Sequence, residues 1–187
     1  MLLNKTEKVI LQEFCKDYFK QVYGWEIAKN YKINQKTVSN ILNKLEKKNI
    51  LKYKKEGRNK YYFLNKNLCT IKELIKIVEI EKRIDFLNKH LAMNKLFREL
   101  QKRADRILIV FGSYAKSRED KTSDLDLLVI GKMKDTFDIK ESFNLDINII
   151  KSNAKRIKSN EPFIKELMEN HIILKGIDEF VDLKWSQ

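Results

Sequence analysis

The sequence predicts an α+β protein in two parts: a helical front half with one hairpin, then a connecting helix and a mixed sheet with flanking helices. Three observations predict this architecture. Apolar residues recur at helical spacing over most of the first 50 residues, and two strand patterns follow them. Another helical pattern spans residues 71–91. From residue 107 onward, short apolar runs rich in β-branched residues alternate with helical patterns.

Positive charge is concentrated in the front half of the chain. The formal net charge of the 187 residues is +13. Residues 1–66 carry 16 Lys and Arg against 6 Asp and Glu, whereas residues 67–187 carry 23 against 20. This distribution indicates a module that binds a polyanion, joined to a second part with a different task. Charge alone leaves a solvated, lysine-rich surface as the alternative.

Cysteine content and hydropathy predict a cytoplasmic protein with no membrane partner. Cys15 and Cys69 lie in apolar stretches and have neither metal-site spacing nor the number of a disulfide framework. Both are therefore predicted to be reduced and structural. The first residues lack the continuous apolar core of a signal peptide, and no apolar run approaches transmembrane length.

The front half begins with three helical patterns and ends with two strand patterns. The helices are predicted over residues 6–21, 25–32 and 35–49, and the strands over residues 50–55 and 60–64. Gly24 separates the first two helices, and Asn34 is the candidate N-cap of the third. Gly57 supplies the backbone freedom that the turn between the strands requires.

Helix, short helix, helix and basic hairpin, in this order, resemble a winged helix-turn-helix over residues 6–66, and residues 1–68 are assigned to this domain. In that family the last helix enters the major groove of double-stranded DNA, and the hairpin contacts the backbone or the minor groove. The residues that the resemblance implies for DNA binding are Gln35, Lys36, Thr37, Ser39, Asn40 and Lys44 on the helix, and Lys54, Lys55, Arg58 and Lys60 on the hairpin. The alternative is a module for protein interaction or dimerisation.

Residues 69–94 are predicted to form a connecting helix, because residues 70–73 fit a capping box and a long helical pattern follows. Its apolar residues step by 3, 4, 3 and 4 positions, which gives a heptad seam about two repeats long. The seam consists of Ile77, Ile80, Ile84, Leu87 and Leu91. It indicates either a homodimer through residues 71–91 or packing within the chain.

An acidic pair stands at the start of the second of two strand patterns, Ile107–Phe111 and Leu125–Ile130. Side chains in a strand alternate between faces, so the carboxylates of Asp124 and Asp126 point to the same side. Two like charges side by side are unfavourable unless a cation or a shared proton lies between them. Since Gly112-Ser113 opens the polar stretch after the first strand, the sequence predicts a site for phosphate and metal together.

Gly112-Ser113, ten intervening residues and Asp124-Leu125-Asp126 resemble the signature of the nucleotidyltransferase superfamily, in particular its minimal nucleotidyltransferase branch. The resemblance covers about residues 95–177, and residues 95–187 are assigned to a domain with the palm-like mixed sheet of that family. It implies Mg²⁺-dependent transfer of a nucleoside monophosphate from an NTP, with ATP as the first choice, to an acceptor hydroxyl, with release of pyrophosphate.

The resemblance also implies a role for each matching residue. Gly112, Ser113 and Lys116 would hold the nucleotide phosphates. The catalytic set of Asp124, Asp126 and Asp146 would bind two Mg²⁺ ions, and Asp146 would also help to deprotonate the acceptor hydroxyl.

The chain departs from the family pattern after the Gly-Ser pair, where Lys116 replaces Arg and Ser117 replaces Gly. Lys116 still offers positive charge to a phosphate, as a point charge rather than a fork. Two other functions stay open. One is a transcriptional regulator whose nucleotidyltransferase-like domain senses a nucleotide without catalysis. The other is an antitoxin-type protein that has a HEPN toxin as its partner.

Overall fold

The structure is a computed structural model that describes residues 3–120, 122–159 and 161–186. The chain divides into two compact units, unit 1 over residues 1–78 and unit 2 over residues 79–187. The division falls within one long helix, so the predicted connecting segment is shared between the units. Helices and two separate sheets make the protein α+β, which confirms the predicted fold class.

Unit 1 contains three helices, a small sheet and the beginning of the long helix. Its elements are α1 Lys5–Cys15, β1 Val22–Tyr23, α2 Gly24–Tyr31, α3 Gln35–Lys47, β2 Leu51–Glu56, β3 Asn59–Leu64 and the first turns of α4 Ile71–Lys89. The three strands are antiparallel in the order β1-β3-β2. The predicted order of three helices and a hairpin is confirmed, and Gly57 has the positive φ of 60° that its turn needs.

Two details of unit 1 differ from the prediction. The first helix ends at Cys15 instead of residue 21, because the side chain of Asp17 accepts a hydrogen bond from the backbone N–H of Phe19 at 2.8 Å and forms a turn there. The chain then adds β1, which pairs Val22 with Tyr62 of β3. A strand of two residues is too short to show a periodic pattern in the sequence.

Unit 2 holds the larger sheet. After α4, a 3₁₀ turn covers Leu91–Met93, and the elements that follow are α5 Asn94–Arg103, β4 Ile107–Phe111, α6 Gly112–Ala115, β5 Leu125–Ile130, α7 Phe137–Phe143, β6 Ile147–Ser152, α8 Ala154–Ile157, α9 Pro162–Glu169, β7 Ile172–Lys175 and α10 Ile177–Trp185. The strand order is β6-β5-β4-β7, with β5 and β6 parallel and the other neighbours antiparallel. The two strands predicted around the acidic pair have the predicted bounds.

The topology brings one end of each of the four strands to the same edge of this sheet. β4 ends at the edge where β5, β6 and β7 begin, because β4 is antiparallel to β5 and β7 while β6 is parallel to β5. Buried residues of β4 and β5, such as Leu108, Val110 and Leu127, pack with α5 in the core beneath the sheet. Polar residues at this edge are therefore held on a rigid, apolar base.

The heptad seam of α4 lies mostly on the protein surface. Ile77, Ile80, Ile84 and Leu91 are between 36% and 66% exposed. Leu87 alone of the five packs partly against the core of unit 2. The predicted alternative, that the seam packs within the chain, is therefore wrong for most of its residues. The homodimer stays a prediction.

Both cysteines are free, but their surroundings differ. Cys15 is buried, as predicted, whereas Cys69 is exposed in the turn before α4, so its predicted apolar, structural setting is wrong. Of the helices in the described parts of the chain, none combines the length and the apolar character that crossing a bilayer requires.

Candidate functional site

The carboxylates of Asp124 and Asp126 lie on one face at the start of β5. Leu125 between them is fully buried, so the strand alternation directs both carboxylates away from the core. In the sheet, Asp126 lies opposite Phe111 of β4 and Asn148 of β6. The amide nitrogen of Asn148 donates to Asp124 Oδ2 at 3.1 Å and to Asp126 Oδ1 at 3.3 Å. The positive end of an amide dipole therefore offsets the repulsion between the two carboxylates.

The chemistry of Asp124 and Asp126 is that of residues that could hold a divalent cation. Carboxylate oxygens are the hard ligands that Mg²⁺ prefers. Both carboxylates already accept a hydrogen bond from the amide nitrogen of Asn148, which carries partial positive charge. An amide side chain also carries an oxygen, so Asn148 could turn it toward a cation.

Asp146 lies on the same face but in the neighbouring row. The register that pairs Asp126 with Asn148 sets exposed Asp146 opposite Asp124, where its backbone carbonyl accepts from Leu125 N–H at 2.8 Å. Within the described residues, no group of three or more His, Cys, Asp or Glu side chains is arranged to hold a metal ion. The structure thus brings Asp124 and Asp126 together and leaves Asp146 outside their hydrogen-bonded cluster, so its catalytic role stays a prediction.

Gly112 meets Asp126 where β4 turns into α6. Its φ of +71° lies in the region that favours glycine, and a Cβ built on it would overlap the carboxylate of Asp126. Only glycine lets the backbone pass this close to the acidic pair. Ser113 follows, partly buried, in the first turn of α6.

The end of α6 shows why glycine suits the position that Ser117 occupies. The N–H of Arg118 donates to the carbonyl of Ser113 at 3.0 Å, and the N–H of Ser117 donates to that of Tyr114 at 3.2 Å. These two bonds form a Schellman motif, in which the residue after the C-cap is left-handed and usually glycine. Ser117 occupies that position with a φ of +54°.

Lys116 lies beside a cavity of about 230 Å³. Its Nζ is 3.2 Å from Oε1 of Glu166 on α9, so a carboxylate of the protein holds the ammonium that was predicted to contact phosphate. The cavity is lined by Phe111, Gly112, Lys116, Asp126, Phe163, Glu166, Leu167 and Asn170. Its α9 residues were not predicted, because nothing in the sequence near Pro162 resembles a site.

Glu119 and Asp120, between α6 and β5, each have a defined partner. Asp120 accepts from the backbone N–H and the hydroxyl of Thr122, both at 2.8 Å, and these bonds lower the pKa of Asp120. Burial raises the pKa of Glu119, but its ion pair with Lys89 of α4 at 2.8 Å outweighs burial and the net pKa is lowered. Thr122 and Ser123 therefore lead into β5 from a hydrogen-bonded turn with Asp120.

A buried charged network ties α4 to the start of β7. Glu79 Oε1 lies 3.0 Å from His171 Nε2, and Glu79 Oε2 lies 2.8 Å from Lys82 Nζ. His171 Nδ1 is 2.9 Å from the carbonyl of Met168. A carbonyl only accepts, so Nδ1 of His171 donates to Met168, while Nε2 lies close to both Glu79 and the Nζ of Lys82, the latter at 3.4 Å. Burial raises the pKa of Glu79, yet the charges of Lys82 and His171 outweigh burial and lower that pKa to about 2.

The residues predicted to contact DNA lie at the surface of unit 1. Asn34 caps α3 by accepting from the N–H of Lys36 at 2.9 Å, as predicted. Gln35, Lys36, Thr37, Ser39, Asn40 and Lys44 on α3 and Lys54, Lys55 and Arg58 on the hairpin are exposed, and Lys60 is partly buried. A cavity of about 260 Å³ between α3 and the hairpin is lined by Gln35, Ser39, Arg58 and Lys60 among others.

The basic side chains of this face differ in how they are engaged. Lys44 pairs with buried Glu7 at 2.7 Å, Lys54 pairs with Glu56 at 3.0 Å, and Lys60 lies 4.1 Å from the centre of the Tyr53 ring. For Lys36, Lys55 and Arg58, no ion pair is found with any residue that the structure describes. Trp25, which was not predicted to take part, is 48% exposed and lines the same cavity.

Comparison with known proteins locates two families on the chain. Residues 93–183 match the nucleotidyltransferase domain family, and residues 10–76 match the penicillinase repressor family. These matches confirm the two resemblances drawn from the sequence. A comparison with curated proteins finds no match. A solved structure described as a toxin-antitoxin with AMP-PNP is similar at 15% identity, with 50% of this chain and 83% of that chain covered and a TM-score of 0.35, which does not establish a shared fold.

Proposed function

The chain joins a winged-helix domain of the penicillinase repressor family to a nucleotidyltransferase domain, and on this premise we propose that it transfers a nucleoside monophosphate from an NTP to an acceptor hydroxyl. The observation that carries the proposal is the contact between the backbone of Gly112 and the carboxylate of Asp126, with Asp124 on the same face. This contact supports the proposal because transfer requires the phosphates, which the Gly112 backbone would bind, to lie next to the carboxylates.

Each residue has a task that its position supports. Asp124 and Asp126 hold Mg²⁺, and the backbone of Gly112 and Ser113 lies alongside the phosphates. Lys116 exchanges Glu166 for a phosphate oxygen. Asp146, exposed in the row next to Asn148, accepts the proton of the acceptor hydroxyl. The bound metal supplies stabilisation of the charge that develops on the phosphate oxygens.

Labelled NTPs test the proposal. The protein is incubated with each α-labelled NTP, Mg²⁺, cell extract and DNA, and label on one species identifies the acceptor. Asp124→Asn and Asp126→Asn should abolish labelling, whereas Asp85→Asn, an exposed aspartate on α4, serves as a matched control and should label normally. Labelling that survives both site substitutions would assign the activity elsewhere.

Asn148 favours a second candidate, a regulator that binds a nucleotide without transferring it. Its amide occupies the row of Asp126, where a third carboxylate would complete the cluster. With one carboxylate fewer, the site binds a nucleotide with one cation and lacks a complete set for two ions. Under this candidate the wild-type protein binds ATP without labelling any acceptor, and Asn148→Asp gains labelling. If the wild-type protein labels an acceptor, the regulator candidate is wrong and the protein is an enzyme.

For unit 1 we propose that α3 and the hairpin bind double-stranded DNA. The uncompensated charges of Lys36, Lys55 and Arg58 support this, since such groups release counterions from phosphates. DNA affinity should therefore fall steeply as salt rises. An affinity that is independent of salt would favour the protein-interaction alternative.

Two predicted partners remain without a direct observation. The homodimer through residues 71–91 is tested by sedimentation of the wild type and of Ile84→Glu, which charges an exposed seam position. The toxin partner is tested by co-expression with a HEPN protein encoded beside this chain. Dissociation by Ile84→Glu would support the first, and co-purification as a complex the second.

A further inference from the structure

We propose that the cavity between the end of β4 and α9 holds the nucleoside half of the nucleotide, with Phe163 against the base, Asn170 on its polar edge and Glu166 on the ribose. This inference rests on the proposed nucleotide binding and adds where the nucleoside lies. None of the three residues belongs to the Gly-Ser and Asp-x-Asp signature.

The position of the cavity is the first argument. One wall contains Gly112, Lys116 and Asp126, which are the groups proposed for phosphate and cation. The opposite wall is formed by α9, whose residues 163, 166 and 167 lie on one helix face by their 3- and 4-residue steps, and by Asn170, which directly follows the helix. A molecule with its phosphates at the first wall therefore places its next atoms against the second.

The chemistry of the α9 wall is the second argument. Small-molecule sites combine apolar and aromatic lining with a few polar groups that fix orientation. Here Phe111, Phe163 and Leu167 are the apolar part, and Glu166 and Asn170 are the polar part. An aromatic ring beside a base contributes contact that tolerates any base, whereas an amide offers both a donor and an acceptor to a base edge.

Phe163 is held in place before any ligand arrives. Its ring centre is 5.7 Å from that of Phe111 in an edge-to-face arrangement, with an angle of 88° between the planes. The guanidinium of Arg156 lies 5.4 Å from the ring centre. The backbone of Asn170 is held between two elements, because Asn170 follows α9 and β7 begins two residues later. Preorganised side chains lose little conformational freedom on binding.

Glu166 changes partner in this arrangement. In the structure it pairs with Lys116 at 3.2 Å. When a phosphate takes the ammonium of Lys116, the carboxylate is left as a hydrogen-bond acceptor at the cavity, and ribose hydroxyls are donors of matching chemistry. The ion pair thus keeps both side chains near the positions that they occupy with nucleotide bound.

Two ligands separate the nucleoside site from the phosphate site. Calorimetry measures the affinity of the full chain for Mg·ATP and for Mg·tripolyphosphate, which lacks the nucleoside. Phe163→Leu keeps an apolar side chain and removes the ring, and should weaken Mg·ATP binding about tenfold while leaving Mg·tripolyphosphate unchanged. Phe137→Leu is the matched control, because Phe137 is 61% exposed on α7 and outside the cavity.

Two further variants keep the proposal open to refutation if Phe163→Leu does not fold. Asn170→Ala, at an exposed position, should weaken Mg·ATP alone. Glu166→Ala should remove the preference of the wild type for ATP over 2′,3′-dideoxy-ATP. Equal losses for both ligands, or no loss for either, would overturn the nucleoside assignment while leaving the proposed function intact. If neither ligand binds the wild type, the proposed function fails and this inference fails with it.

Discussion

The buried network around Glu79 predicts a specific dependence of stability on pH. Glu79 is 0% exposed and its pKa is lowered from 4.5 to about 2, because Lys82 and His171 outweigh the effect of burial. At 1.36 kcal/mol for each pKa unit, the ionised form contributes about 3 kcal/mol to the free energy of unfolding. Since the folded pKa is the lower one, this stability is present above pH 4.5 and is lost as the pH falls toward 2.

Glu79→Gln removes the charge that pairs with partly buried Lys82 and contacts His171. We expect a loss of about 3 kcal/mol at pH 7 and a flatter stability profile between pH 5 and 2. Urea unfolding at several pH values measures both, with Trp185 fluorescence in a Trp25→Phe background as the probe for unit 2. Glu141→Gln, at an exposed position on α7, is the control and should change stability by less than about 0.5 kcal/mol. A loss below 1 kcal/mol for Glu79→Gln, or an unchanged pH slope, would refute the reasoning.

Three other substitutions test single features. Ser117→Gly should raise the free energy of unfolding by roughly 0.5–1 kcal/mol in urea denaturation, because glycine adopts positive φ without strain, whereas Ser117→Ala should not. Gly112→Ala should weaken Mg·ATP binding about tenfold or more in calorimetry, since its Cβ displaces Asp126, and an unchanged affinity would contradict that contact. In fluorescence anisotropy over a salt series, Arg58→Ala should lower the salt slope of DNA binding by about 1, whereas Lys44→Ala, whose charge Glu7 already neutralises, should leave it unchanged.

Local signals predicted the elements whose pattern is contained in one stretch of chain. The strands around the acidic pair have long β-branched runs, so their bounds follow from composition. The start of α3 follows from Asn34, because a cap is an interaction between residues two or three apart. The end of α1 was not predicted, because the apolar spacing continues to residue 19. The side chain of Asp17 ends the helix by accepting a hydrogen bond from the backbone N–H of Phe19.

Site geometry depended on register, which periodicity does not contain. Alternation predicts correctly that Asp146 and Asn148 share a face, but the row that meets Asp126 is decided by how β6 aligns with β5. The prediction from sequence therefore chose the carboxylate of Asp146 and did not include the amide of Asn148. The shared cavity of Asp126 and α9 could not be predicted for a similar reason, since about forty residues separate Asp126 from Phe163 and Glu166.

The charged network has a consequence for how mutations in this protein would be classified. His171, whose ring Glu79 and Met168 fix, directly follows Asn170 in the wall of the cavity proposed for the nucleoside. If Asn170 contacts the nucleoside as proposed, loosening the network would shift a ligand-contacting residue as well as lower stability. In a genetic screen for loss of nucleotide recognition, substitutions of Glu79 on α4 would be recovered alongside those in the cavity, although Glu79 itself contacts no ligand.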